Sequence, residues 1–383
     1  MLAATLSLFA FGCSGCRAVY VTRLAYEQAR YLASAESVEE LIARTEDPER
    51  RKALELVLEA REFARRSGLE VGGSYRKVAN MKSASPFHVV TAAYADRLEP
   101  YTWWYPVVGA IPYRGYFERE AALEYARELE KDEALDTAVV EASAYSTLGW
   151  FADPLPSTVV DRGTMAVATT VLHELVHQTL FIPGQVAFNE TLATAVAYRL
   201  ADDFFAERGE VERAERLRRA RAAWVARSRI LDDAAATLKA FFERARQERW
   251  PRERMLEERT RVYEQVQADA IAADPVFAAE FRGRTLHNAT FLAIHRYATR
   301  AAEIEAFLDT QPSVKAALDR IRELTKEERD PYLALQRSSV TAEASAAGSL
   351  RPAHRAFSSR TGCADAERRR RPPRSGRVAP DRA

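Results

Sequence analysis

Two histidines four residues apart, with a glutamate beside the first, constrain this chain more than any other feature. In Val171-Leu-His-Glu-Leu-Val-His177 the imidazoles of His173 and His177 fall about one turn apart on one helix face, where both can grip a single ion. Glu174 stands where a carboxylate can take the proton from a water that such an ion has acidified. Pro183-Gly184 ends the helix and lets the chain reverse. Glu190 then heads a second apolar-periodic segment and can supply a third ligand through oxygen. Two His, one Glu and an open position form the ligand set of a catalytic zinc site, not of a closed structural one. The chain has six His, and two of them fall in this pattern. The plainer alternative is a buried helix with two hydrogen-bonded histidines and a capping carboxylate; convergence of all three side chains separates the two readings.

With 383 residues, 47% of them apolar and 10% aromatic, there is material for one large domain or two. The formal net charge of +1 provides no field to draw in nucleic acid. The first residues, Met1-Leu-Ala-Ala-Thr-Leu-Ser-Leu-Phe-Ala-Phe-Gly-Cys13-Ser-Gly-Cys16, form an apolar run too short for an ordinary membrane span. The run resembles a lipoprotein signal, with Cys16, or else Cys13, as the residue that would carry lipid. Cys363 is the only other cysteine, so no disulfide framework is evident. From about Ser338 the apolar rhythm gives way to Ala, Ser, Gly, Pro and Arg, and Arg368-Arg-Arg-Arg371 forms a basic cluster. The expected organisation is a signal segment over 1–16, one catalytic domain over 17–337 and a disordered basic tail over 338–383.

Along the chain, three-to-four spacing gives helices between Ala18 and Gly68, with Ser37 as the cap of a short one. His88–Tyr94 and Trp103–Val108 read as strands, and Tyr113-Arg-Gly-Tyr116 as a turn. His88, alone in its strand, is more simply a structural residue than a ligand. A short helix over Glu118–Lys131 precedes an alternating strand from Asp136 to Ala144. Beyond Glu190 the pattern is nearly all helical: a long charged helix over Val211–Arg249, then Arg252–Ala272 and Pro275–Leu308. Arg114 can face a substrate carboxylate or carbonyl, beside Tyr113, or simply hold loop carbonyls. Tyr297, Tyr145 and Tyr113 are candidates for the hydroxyl that steadies a developing oxyanion.

Several motifs in order carry a family resemblance: Leu56-Val-Leu-Glu-Ala-Arg-Glu-Phe63, Tyr105-Pro-Val-Val-Gly109 with Pro112-Tyr-Arg-Gly-Tyr-Phe117, Ala144-Tyr-Ser-Thr-Leu-Gly-Trp-Phe-Ala-Asp-Pro154, the His173–Ala193 block, and Asn288-Ala289 with Tyr297. Over Cys16–Tyr297 the chain resembles a family of predicted bacterial aminopeptidases, lipoprotein-like proteins of the zincin type. The resemblance implies an α+β, predominantly helical metallopeptidase with a small antiparallel sheet beside the zinc helix. In such proteins a strand like Asp136–Ala144 runs along the cleft and binds extended peptide through its main chain. Relatives often carry Cys where this chain has Trp104 and Ala110, so their joint replacement fits a lost bridge. The resulting expectation is a Zn2+ peptidase. His173, His177 and Glu190 hold the metal, Glu174 is the base, Tyr297 and Tyr145 are catalytic candidates, and Arg114 and Tyr113 face the peptide substrate. The protein would sit on the periplasmic side of a bacterial cell envelope, anchored by lipid, with no specific nucleic-acid partner. An envelope endopeptidase, or a scaffold whose metal is structural, are the rival expectations.

Overall fold

The computed structural model describes residues 15–81, 87–105, 108–142, 152–282 and 284–338. Chain contacts divide it into a body, Met1–Ser339, and a separate unit, Val340–Ala383, which lies outside the described residues together with most of the signal-like segment. The body is predominantly helical with small sheets, an α+β chain.

It opens with α1 (Gly15–Ala33), β1 (Ala35–Ser37), α2 (Val38–Arg44) and α3 (Pro48–Arg66). Ser37 caps α2 as expected, its hydroxyl accepting from the Glu40 amide at 3.3 Å. Asp47 caps α3 with Pro48 at the first helical position, where the missing N–H costs nothing. Arg61, in the first family motif, is buried and ties α3 to the following loop, donating to the carbonyls of Ser74 (2.6 Å) and Gly72 (3.0 Å).

The strands come next: β2 (Lys77–Ala79), β3 (Phe87–Tyr94), β4 (Trp103–Tyr105), β5 (Gly109–Ile111) and β6 (Tyr113–Tyr116), then α4 (Arg119–Asp132), β7 (Leu135–Ala142) and β8 (Leu155–Pro156). Tyr113–Tyr116 is therefore a strand, not the expected turn. Pairing with β3 (Val90↔Arg114, Thr91↔Tyr113) satisfies its backbone and overrides the local turn signal of Pro112 and Gly115. The central sheet has the order β6-β3-β7, antiparallel throughout. Its register gathers Phe87, Val89, Tyr113, Gly115, Ala138 and Val140 on one face and Val90, Ala92, Arg114 and Val139 on the other. The second face packs on α4 in a separate small core with Trp103, Ala122, Ala126 and Leu129. In the β4–β5 hairpin Trp104 lies directly opposite Ala110, the two positions where a bridge was expected in relatives.

After α5 (Ser157–Asp161) come α6 (Thr164–Thr179) and α7 (Val186–Glu207), then α8 (Val211–Gln247) and α9 (Arg252–Ala273). On α6 the residues Ala168, Val171, Leu172, Leu175 and Val176 are fully buried and recur at helical spacing, which presses this face against α3 and α7. The opposite face, through Thr169, Thr170, His173, Glu174 and His177, is left to a cleft. The expected helix Pro275–Leu308 is instead three pieces, α10 (Val276–Glu280), α11 (Asn288–His295) and α12 (Ala301–Asp309). Polar caps break it: His287 accepts from the Thr290 amide, and Asp232 holds both His295 (2.7 Å) and the Arg300 amide (3.1 Å), with Arg300 in left-handed backbone at φ 49°. Next comes α13 (Val314–Glu327), capped by Ser313, and a further helical stretch over 331–338 ends the described residues. Among the described residues no helix is long and apolar enough to cross a membrane.

Candidate metal centre and cleft

The turn between α6 and α7 is built to deliver Glu190. Gly184 takes φ 77°, a backbone conformation that a residue with a Cβ adopts only at a cost. Its amide donates to the Val108 carbonyl at 3.2 Å, and Gly109 approaches so closely that an added Cβ would sit 3.2 Å from the Gly184 nitrogen. Asn189 then closes the loop on itself. Its side-chain oxygen accepts from the Ile182 amide at 3.0 Å, and its side-chain nitrogen donates to the Ile182 carbonyl at 2.9 Å. With its predecessor Asn189 tied to Ile182 in the loop after α6, Glu190 enters α7 from a fixed turn.

The three expected ligands meet. His173 Nε2 lies 3.1 Å from His177 Nε2, and Glu190 Oε2 lies 3.3 and 3.4 Å from the two. Donors at about 2.0–2.1 Å around a tetrahedral zinc stand about 3.3–3.4 Å apart, so the triangle has the size that a shared ion requires. Among the described residues these three form the group able to hold a metal. Glu190 is buried, which by itself would raise its pKa, but the imidazoles of His177 and His173 outweigh burial and hold the carboxyl well below its usual range. His177 Nδ1 is buried with no hydrogen-bond partner among the described residues, so packing beside Phe181 (ring centroids 6.4 Å apart) orients that ring.

The site opens on a cleft of about 1580 Å³, walled by the polar face of α6, the first face of the central sheet, and residues of α7, α8 and α11. Five consecutive residues of β7, Thr137–Glu141, line it. Side chains of a strand alternate between faces, so an unbroken run borders the cleft through the strand's edge. In the order β6-β3-β7 that edge carries no further strand among the described residues.

Glu174 and Tyr297 both line the cleft. Tyr297 as a residue is 45% exposed, and its backbone is fixed by Trp224 Nε1 donating to the Tyr297 carbonyl at 3.1 Å. The Glu190 charge raises the Tyr297 pKa well above its usual value, with crowding, Tyr113 and Glu174 adding and Arg296 opposing. The Glu190 charge, ahead of burial, carries the shift. The phenol thus lies in the field of both the Glu190 carboxylate and Glu174.

Tyr113 also lines the cleft. Arg114 does not: strand alternation sends it to the opposite face, where it is buried over the rings of Tyr20 (4.7 Å), Tyr125 (4.8 Å) and Trp103 (5.5 Å). The expectation that it faces substrate is corrected to a role in the small core. His88 is buried on that same side and lines no part of the cleft. Tyr145 lies outside the described residues. Asn288, in the last family motif, is a clip: its amide nitrogen donates to the carbonyls of Tyr94 (2.6 Å) and Arg97 (3.0 Å) and its oxygen accepts from Tyr263 (2.5 Å). Two residues that matter to the site went unnoticed in the sequence, Asn189 and Arg296. Asn189 adjoins Glu190, where a side chain able both to donate and to accept is the signal; Arg296, beside Tyr297, carries none.

A cleft holding two imidazoles, a converging carboxylate and a neighbouring glutamate defines a chain with a candidate metal centre and an acid–base group beside it. The chain belongs to an aminopeptidase family: a family model described as "Putative aminopeptidase" matches residues 19–347, further toward the C-terminus than the motifs quoted above. No curated protein and no solved structure matches it.

Proposed function

We propose that the protein is a zinc-dependent aminopeptidase of the zincin type. The observation that carries this reading is the His173–His177–Glu190 triangle, with edges of 3.1–3.4 Å, opening on a cleft beside an edge strand. The donor set, two neutral imidazoles and a carboxylate, suits zinc. When bound, the ion would supply Lewis acidity, activating water and polarising the scissile carbonyl. Glu174 accepts the proton of the attacking water and passes it to the leaving amine. Tyr297, kept protonated beside Glu190, donates a hydrogen bond to the oxygen on which charge develops, and Tyr145 is a second candidate for that task. The edge of β7 aligns an extended peptide by main-chain hydrogen bonds, and Tyr113 packs against it. The reading includes a lipid anchor at Cys16 or Cys13 on the periplasmic side of the envelope, which intact-mass analysis of the mature N-terminus checks.

The deciding experiment is metal content and turnover of purified variants. Glu190→Ala should weaken zinc binding more than about 100-fold, beyond what loss of a supporting partner costs. Glu174→Gln should keep zinc and lower kcat by about 10²–10⁴. Free peptides should be cleaved and their N-acetylated forms spared. Cleavage of both would make it an endopeptidase, and zinc without turnover a scaffold. Zinc retained in full by a His173→Ala, His177→Ala double variant would sink the reading.

A further inference from the structure

Among the described residues three arginines are buried, Arg61, Arg114 and Arg296, and each must answer for a charge taken out of water. Arg61 spends Nε and Nη2 on two backbone carbonyls. Arg114 lies among aromatic faces on the far side of the sheet. Arg296, only 6% exposed, is the one that opens on the catalytic cleft. Its Nη2 donates to Thr91 Oγ1 (3.0 Å) and to the Pro112 carbonyl (3.4 Å), and its guanidinium rests 5.1 Å from the centre of the Tyr113 ring. These contacts fix the plane of the group. They leave Nε and Nη1 without a protein acceptor among the described residues, and neither atom is sealed from solvent. No described carboxylate stands within ion-pair distance of it, whereas the part-buried Arg199, Arg227 and Arg259 each have one.

We propose that Arg296 is the anchor for a carboxylate of the substrate, placed one residue from Tyr297 so that the anchored group lies close to the scissile bond. An arginine held rigid by one nitrogen and presenting its other two donors is suited to a carboxylate, which it grips with two parallel hydrogen bonds. A cation buried without a counter-charge in the free protein gains that partner when substrate arrives. The substrate class is then short peptides carrying a negative group beside the cleaved bond. That group is either a free C-terminus a residue or two away or an acidic side chain. The proposal rests on the peptidase reading for its position and on Arg296's own contacts for its chemistry.

The test compares an alanine tripeptide as free acid and as amide, and amidated tripeptides with Glu or Gln next to the scissile bond, on zinc-loaded wild type, Arg296→Gln and Arg296→Lys. Wild type should favour the carboxylate-bearing member by roughly 10- to 100-fold in kcat/KM, the worth of a charge-assisted pair. Preference for the free acid assigns the C-terminus; preference for Glu over Gln assigns the side chain. Arg296→Gln should erase the preference, bringing the charged and neutral members of each pair to within about twofold of one another whatever the absolute rate, and Arg296→Lys should keep part of it. Equal wild-type rates within both pairs, free acid against amide and Glu against Gln, would overturn the proposal, and those arms need no variant to fold. So would an Arg296→Gln enzyme slowed alike on both, the mark of a purely structural clamp. If wild type cleaves no peptide, calorimetry on zinc-loaded Glu174→Gln separates the two ideas. Acid-selective binding that Arg296→Gln removes would uphold the anchor without the peptidase, and unselective binding would reject it.

Discussion

Each side chain at the centre depends on a neighbour that does no chemistry. Asn189 holds both backbone groups of Ile182 and so sets the first turn of α7 that presents Glu190. Removing it leaves the part-buried Ile182 amide unpaired, with the carbonyl keeping only the Gln185 amide, and frees the carboxylate to swing. Asn189→Ala should therefore cost about 1–3 kcal/mol of stability and about 10- to 100-fold in zinc affinity, read by thermal melting and a competitive chelator titration. Asn189→Asp keeps the acceptor but not the donor and should fall between. Tyr297→Phe is expected to retain zinc and fold while kcat drops about 10²–10³, because only a hydrogen bond made to developing charge is lost. The Glu190 carboxyl has its folded pKa held below the ordinary 4.5 by the imidazoles. A depressed folded pKa contributes stability that is present above the unfolded value and lost as pH falls below it. Melting curves of the zinc-free protein should thus show an acid limb that begins near the ordinary carboxylate range, and Glu190→Gln should flatten it. An unchanged limb would mean that the carboxylate does not feel the two rings.

Among the elements, the α6–α7 turn and the central sheet set the cleft, and they differ in how plainly the sequence announces them. The periodic burial of Val171, Leu172, Leu175 and Val176 and the stop at Pro183-Gly184 make α6 readable from spacing alone. The ligand triangle follows from it, because two imidazoles one turn apart leave little choice of partner. The sheet is harder to read. Tyr113–Tyr116 becomes a strand only because β3 is beside it, and that same pairing turns Arg114 away and Tyr113 inward. A single sequence cannot say which side of an unrecognised strand faces the site. The Gly109–Gly184 contact is a second long-range fact of this kind, and it argues a prediction. At Gly109 both φ (78°) and the nearby Gly184 backbone oppose a side chain; at Gly184 only φ (77°) does. Gly184→Ala should cost about 1–2 kcal/mol, the strain of left-handed backbone. Gly109→Ala should cost more and also weaken zinc binding, since it pushes on the turn that carries Glu190. Equal losses in the two variants, with zinc affinity unchanged, would show that the contact does not transmit to the site.

At the scale of the whole molecule, the helical remainder beyond Glu190 supports the candidate centre through buried long-range contacts. Sequence spacing did not foretell the breaks in the expected Pro275–Leu308 helix, because they are made by caps that reach across the chain, Asp232 to Arg300 and Asn288 to Tyr94. One such long-range support runs from the C-terminal part of the body to the candidate metal site. Tyr332 is buried, its hydroxyl donates to the Thr299 carbonyl at 2.7 Å, and its ring meets Phe188 edge-on with centroids 5.1 Å apart. Phe188 is fully buried two residues before Glu190, so the C-terminal segment props the first turn of α7. A chain cut after Ala347, where the family match ends, keeps this prop and should melt and bind zinc as the full chain does. A chain cut after Arg329 loses Tyr332 and the buried Leu335 and opens a void beside Phe188. By the cost of emptying aromatic and leucine sites, it should lose at least about 3–5 kcal/mol of stability. Its zinc should also leave more readily, because an unsupported Phe188 lets Glu190 drift from the imidazoles. Differential scanning calorimetry and zinc release on the two truncations measure both effects. If the shorter chain were destabilised yet held zinc as tightly as the longer, the prop would serve the core alone and Asn189 would be sufficient to place the ligand.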